Sequence, residues 1–378
     1  MQVIVRGSSL NEMSQRLDSI QALRAVAAIG VVLGHVAQLE MRFLPDAILG
    51  PVWFLGFSGV DLFFLISGFV MVHVTRSASS ASPGQAGRFL FARITRIYPP
   101  YWLFTLAALA GFALFPGIGT RGLEDMSLWR SVLLYPHTDL PILPIGWTLV
   151  HELYFYLIFT GMLFLPRRFL APGLVVWLAV VVAGGAVGIR QAGALPDLVF
   201  NPLTAEFVLG CAIALFCPRG GRVAGWSALA AGVTLFTVAG IIIAPQSHEN
   251  LPADWLRVGT QGVPCALLAY GIITLERVGV FRSPRWLVAI GDWSYSLYLS
   301  HILVLLGGVW MWNRVVPDMG PLDNVVMIAG GMAACLLLAA LSYRFFEKPV
   351  LNLTHHWRDK LFPSTGPKPS ANARERVG

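Results

Sequence analysis

The run Ile20-Gln21-Ala22-Leu23-Arg24-Ala25-Val26-Ala27-Ala28-Ile29-Gly30-Val31-Val32-Leu33-Gly34-His35-Val36-Ala37-Gln38-Leu39 decides both the fold class and where to look for chemistry. About twenty apolar residues in a row are what a helix needs to cross a bilayer. Two residues break the pattern. An arginine near the bilayer centre costs roughly 2.5–3.5 kcal/mol on insertion scales, so intramembrane ionisable groups usually mark sites. Arg24 and His35 are eleven residues apart, about three turns plus 20° at ~100° per residue, which puts them on one helix face. Their axial separation is about 16 Å, roughly half the hydrocarbon core. Arg24 can still be read as a structural partner of Asp18, since a long side chain near a helix start can snorkel to the surface. His35 has no such escape: a structural role would need a buried hydrogen-bond partner, and the rarity of intramembrane histidine favours catalysis or proton handling.

The rest of the chain repeats the first span's composition. Of 378 residues, 56% are hydrophobic and only 12% charged, against about 25% charged in a soluble domain; the mean hydropathy is +0.67. Apolar runs near 20–39, 53–74, 98–115, 146–165, 170–189, 201–217, 226–244, 258–275, 287–307 and 325–345 predict an all-α polytopic membrane protein of about ten spans. With a cytoplasmic N-terminus, twenty of the 27 Lys and Arg residues fall in the inner connections and tail, and six fall outside. The positive-inside rule then predicts both termini in the cytoplasm.

This charge distribution accounts for the net +7 without a nucleic-acid surface, because no basic stripe with interleaved aromatics lies in a polar segment. The first span is too long, and too charged at Arg24, for a cleavable signal. Cys211, Cys217, Cys265 and Cys335 all fall inside spans, with no metal-ligand spacing or disulfide framework. Residues 1–350 read as a single membrane domain, and 351–378, rich in Pro, Ser and basic residues, as a disordered cytoplasmic tail.

Other spans carry further unexplained polar groups. In the second, Gly59 and Gly68 permit close helix approach and Ser67 can bond across helices, but Asp61 needs a partner or water. Arg93 and Arg96, three apart ahead of Tyr98-Pro99-Pro100-Tyr101, fit a phosphate clamp equally well as a lipid-headgroup contact. The fourth span opens Gly146-Trp147-Thr148-Leu149-Val150-His151-Glu152, and Glu152 shares a face with Tyr156. In the ninth, Ser294, Tyr298 and His301 line one stripe. The alternation of spans places His35, Asp61, Glu152 and His301 in the outer half, and their common level predicts one polar cavity opening outward.

Six blocks together resemble the acyltransferase-3 family of membrane acyltransferases, over about 17–350. They are Leu17-Asp18-Ser19-Ile20-Gln21-Ala22-Leu23-Arg24 running to His35; Gly59-Val60-Asp61-Leu62-Phe63-Phe64 running to Ser67-Gly68; Arg93-Ile94-Thr95-Arg96-Ile97-Tyr98-Pro99; Trp147-Thr148-Leu149-Val150-His151-Glu152; Gly291-Asp292-Trp293-Ser294-Tyr295 running to His301; and Tyr343-Arg344-Phe345-Phe346-Glu347-Lys348-Pro349. The resemblance implies an enzyme that moves an acyl group, usually acetyl, from acetyl-CoA or another acyl-CoA to a carbohydrate hydroxyl. It implies catalytic roles for Arg24 and His35 and acyl-CoA contacts for Arg93 and Arg96. Glu152 is expected to assist His35, with Asp61, Ser67, Tyr298 and His301 in support and no metal. His35 can act as general base or carry the acyl group itself.

The resemblance further implies a bacterial inner-membrane location and a carbohydrate acceptor, lipid-linked glycans included, alongside membrane lipids; a homodimer is compatible with it. Some relatives append an extracytoplasmic hydrolase-like domain, so a chain ending here is expected to act alone or with a separate partner. The outer connection 116–145, with Arg121, Glu124, Asp125, Arg130, His137 and Asp139, is the expected acceptor contact. The residues alone leave open a ten-span transporter or flippase with a proton relay.

Overall fold

The chain folds as a bundle of long helices whose polar groups are turned inward and matched across helix crossings. The computed structural model describes residues 17–44, 46–76, 82–115, 127–243, 254–315 and 320–363. In chain order the helices are α1 (Asp18–Phe43), α2 (Ser58–Val74), α3 (Pro83–Leu114), α4 (Leu128–Leu133), α5 (Gly146–Leu163), α6 (Leu170–Ala186) and α7 (Ala194–Val199). They continue as α8 (Thr204–Phe216), α9 (Arg222–Ile243), α10 (Trp255–Arg257), α11 (Val263–Arg277), α12 (Arg285–Val315), α13 (Pro321–Ser342) and α14 (Lys348–Leu361). Among the described residues there is no strand, and nine helical segments are long and apolar enough to cross a membrane.

The expected fourth span is not among those nine. It forms a helix at the expected place, α5, but His151 and Glu152 dilute the apolarity that would mark it as a span. One further expectation changes. The tail expected from residue 351 begins as helix α14, held to α3 by Arg88, which donates to the Phe362 carbonyl at 2.8 Å and pairs with Asp359 at 2.7 Å. Residues 364–378 lie outside the described residues, as do Arg6, Arg16, Arg121, Glu124 and Asp125.

Helix ends are secured by side chains from neighbouring elements, as an apolar surrounding requires. At the start of α1 the Ser19 amide donates to the Glu276 carboxylate at the end of α11, 3.1 Å from Oε2. At its far end the buried Glu40 accepts from the Ile48 and Leu49 amides at 2.8 and 3.0 Å. α3 starts with a reciprocal capping box between Ser82 and Gln85, and it continues through Pro99 and Pro100 without a break.

Two close crossings position everything that follows. α1 and α12 touch backbone to backbone at Gly291, where a Cβ would run into the Gln21 carbonyl. α2 and α8 do the same at Gly68 and Gly210, facing the carbonyls of Phe207 and Leu65. Between α2, α8 and the π-helical turn Val258–Gly262 sits an ion pair: Arg257 donates from Nε and Nη2 to the two Asp61 oxygens, both at 2.9 Å. Both side chains are buried, Asp61 completely, and the fully buried Glu206 lies beside them. The pairing answers the sequence-level question of what satisfies Asp61.

Breaking such a pair is costly. Asp61→Asn removes both charge-assisted bonds to the Arg257 guanidinium and is expected to cost about 3–5 kcal/mol, seen as a lower unfolding temperature of the detergent-solubilised protein. Asp61→Leu combined with Arg257→Met is expected to recover only part of that loss, because Glu206 stays buried beside the site.

Candidate active site

Six of the sequence-selected side chains converge on one polar slot of about 70 Å³: Arg24 from α1, Ser67 from α2, Arg93 and Arg96 from α3, Glu152 from α5 and Tyr298 from α12. Each arrives for a local reason. Arg24 is carried in by the Gly291 crossing, one turn below Ser294, and its Nε donates to Ser294 Oγ at 3.0 Å. Glu152 Oε1 accepts from Ser67 Oγ at 3.0 Å and from the Tyr156 hydroxyl, the residue one turn along the same helix. Arg93 lies between two aromatic rings, 5.3 Å from the Phe89 centroid and 5.7 Å from Tyr156. Arg96 lies 6.0 Å from the Tyr295 ring, and Tyr295 is anchored by donating to the Ile97 carbonyl at 2.8 Å. Aromatic faces can hold guanidinium groups in place while their N–H edges stay available to an anion.

The slot connects to His35 through α12. The Tyr298 hydroxyl meets Thr148 Oγ1 at 2.8 Å, and its ring is 5.8 Å from that of His301. The His301 ring is in turn 5.1 Å from His35. His301 Nδ1 lies 2.6 Å from the Tyr298 carbonyl and 3.2 Å from that of Leu297, both acceptors, so the proton sits on Nδ1 and Nε2 keeps its lone pair. His35 repeats the arrangement. Its Nδ1 is 3.1 Å from Gln38 Oε1, and with the amide oxygen accepting, Nε2 is again the basic atom. Phe57 packs edge-on against the His35 ring at 4.8 Å.

The expected single cavity of His35, Asp61, Glu152 and His301 is therefore not what forms. Glu152 groups with Arg24, Arg93 and Arg96, His35 groups with His301, and Asp61 belongs to the separate pair with Arg257. The segment before α5, 127–145, packs along α3, where Tyr98, Tyr101 and Trp102 donate to carbonyls of Leu133, Ser131 and Val132 at 2.8, 2.7 and 2.9 Å. Among the described residues no group of three His, Cys, Asp or Glu could hold a metal, and the four cysteines are free and buried.

A family profile described as an acyltransferase domain matches residues 17–344, which takes in every one of these side chains. The chain belongs to the acyltransferase-3 family. It is 35% identical to the exopolysaccharide production protein ExoZ of Rhizobium meliloti, over 79% of this chain and 90% of that protein. It is 28% identical to the acyltransferase MdmB of Streptomyces mycarofaciens, over 96% and 98% of the two chains. It is also 23% identical to the peptidoglycan O-acetyltransferase OatA of Listeria monocytogenes, over 92% of this chain and 58% of that longer protein. No solved structure matches the chain.

Several residues of this acyltransferase-3 site were not singled out from sequence. Gln38 was recoverable, since it lies three residues after His35 on the same face. Glu206 was recoverable too, because the rule applied to Arg24 applies to any charge inside a span, whereas Arg257 falls one residue before the run 258–275. Glu347, which accepts from Ser296 Oγ at 2.6 Å in the π-helical turn joining α13 to α14, lies in the last of the six blocks but was given no role there. Gln38→Leu removes the bond that orients His35 and, with His35 as the base proposed below, is expected to lower kcat about tenfold, the worth of one such hydrogen bond. The KM for the acyl donor should stay unchanged, and steady-state kinetics of acyl transfer separates the two.

Proposed function

We propose that this protein is a membrane O-acyltransferase that takes an acetyl group from acetyl-CoA at the cytoplasmic side and delivers it to a hydroxyl of a cell-surface or lipid-linked carbohydrate. Support for the reaction class comes from the family. The carbohydrate acceptor is suggested by the names of ExoZ and OatA, and bacterial relatives favour the inner membrane. The observation that carries the proposal is the convergence of Arg24, Arg93 and Arg96 on the slot that holds Glu152, one aromatic contact from His301 and His35.

On this account both termini face the cytoplasm, and Arg93 and Arg96 hold the coenzyme phosphates. The acyl-bearing arm enters past Arg24 toward His35. At about 70 Å³ the slot is well below the ~300 Å³ at which ligand pockets usually begin, so donor binding widens it. His35 Nε2 takes the proton of the acceptor hydroxyl as the oxygen attacks the thioester carbonyl. The carbon–sulfur bond breaks, the ester forms, and the proton ends on the coenzyme A thiol. Glu152, held by Ser67 and Tyr156, neutralises Arg24 and its neighbours, and the Tyr298 hydroxyl is a candidate donor to the developing oxyanion. The competing route passes the acetyl group through His35 Nε2 itself.

Purified protein in lipid nanodiscs should release coenzyme A from acetyl-CoA when a glycan acceptor is supplied. His35→Ala is expected to lower kcat by about 10²–10⁴-fold, the usual worth of a positioned base, while acetyl-CoA still binds. Arg96→Ala is expected to raise the KM for acetyl-CoA at least about tenfold, as loss of a charge-assisted contact does. Undiminished turnover by His35→Ala would overturn the mechanism.

A further inference from the structure

The helix that carries Glu152 into the slot has a second polar face. Thr148 and Glu152 point to the slot, whereas Trp147, Val150 and His151 line a separate pocket of about 220 Å³. Its other walls come from the segment 127–141, which supplies Arg130, Tyr135 and Asp139, and from α7, which supplies Asp197. Arg190 holds Asp197 in place at 2.6 Å.

Two features show a site made to receive something polar. His151 is only 8% exposed, yet its Nδ1 has no protein hydrogen-bond partner, and neither does the buried Arg130 Nε. Such groups cost free energy unless a ligand or water completes them. The lining also combines donors (Arg130, His151) with acceptors (Asp139, Asp197) beside the aromatic surfaces of Trp147 and Tyr135. Vicinal hydroxyls need both kinds of partner, and a pyranose presents an apolar face to aromatic rings. Two carboxylates, about half exposed and held by His137 and Arg190, disfavour a phosphate or a polyanion, and an acyl chain would leave His151 Nδ1 and Arg130 Nε without partners.

The pocket is also well placed to feed the reaction. The N-terminal end of α5 lies between the slot and the pocket: the Ile145 carbonyl is 3.4 Å from the Tyr298 hydroxyl, next to His301, and Trp147, two residues on, lines the pocket.

We propose that this pocket is the acceptor subsite: it holds a neutral sugar unit of the glycan on the face of α5 away from Glu152, while an adjoining unit reaches His35 around the N-terminal end of that helix. The assignment rests on the acyltransferase function proposed above.

The test uses the full-length protein in nanodiscs, acetyl-CoA, and as acceptor the surface polysaccharide of the producing bacterium after mild alkaline removal of its esters. Asp139→Asn and Tyr135→Ala both lie in the segment before α5, outside the helix core, and two independent changes guard against one misfolded variant. Each is expected to raise the KM for the polysaccharide about tenfold, the loss of one hydrogen bond to a charged group or of one stacking face, with the KM for acetyl-CoA unchanged. Acceptor KM values equal to wild type in both variants would overturn the subsite and leave the acyltransferase function standing. Wild-type protein that consumes acetyl-CoA but esterifies no polysaccharide would overturn the carbohydrate acceptor, and the subsite with it.

Discussion

A guanidinium on the first membrane helix is the constraint around which the rest is arranged. Arg24 sits nine Å or so above the start of α1, at 1.5 Å per residue, in surroundings where an unpaired charge costs roughly 2.5–3.5 kcal/mol. Its neighbours answer that cost. The Gly291 crossing lets α12 approach closely enough for Ser294 to accept from Arg24 Nε. Glu152 comes in on α5, itself held by Ser67 and Tyr156, and Arg93 and Arg96 are braced on aromatic rings. Three arginines near two carboxylates, Glu152 and the buried Glu347, leave an excess of positive charge that an anionic ligand would complete.

A second set of charges is handled differently. Asp61 and Arg257 satisfy each other in bidentate fashion, completely within the bundle, and link α2 to the π-helical turn ahead of α11. The two clusters sit on opposite sides of α2 and follow opposite principles: one is closed and structural, the other open and short of negative charge. α5 divides the protein again, with the slot on one face and a polar pocket on the other. Partition by single helices suits an enzyme that keeps a thioester and a sugar apart until both are in position.

Much of this was legible in the sequence because membranes make polarity conspicuous. Arg24, His35, Glu152 and His301 each stood out against apolar runs, and the structure gathers Arg24, Ser67, Arg93, Arg96, Glu152 and Tyr298 into one place. Hydropathy also located α5, even though His151 and Glu152 keep it below the apolarity of the other spans. What the sequence could not show was grouping: counting residues from an assumed surface set Glu152 beside His35, whereas the structure places Glu152 with the arginines and His35 with His301. Pairing failed for the same reason: Asp61 and Arg257 are separated by 196 positions, and only the fold brings them together. Likewise, α14 reads as a polar tail until Arg88 is seen to bind its far end.

The central claim is that one continuous track runs from the arginines of α3, past Arg24, to the two imidazoles of α1 and α12. Photocrosslinking tests it most directly. An acyl-CoA carrying a diazirine at the end of its acyl chain would be irradiated with the protein in nanodiscs, and the labelled peptides mapped. Label on α1 near His35, on Phe57 or around His301 is the predicted result. Label confined to the connections at the Arg93 end, with none beyond Arg24, would show that the acyl group never reaches His35 and would contradict the account.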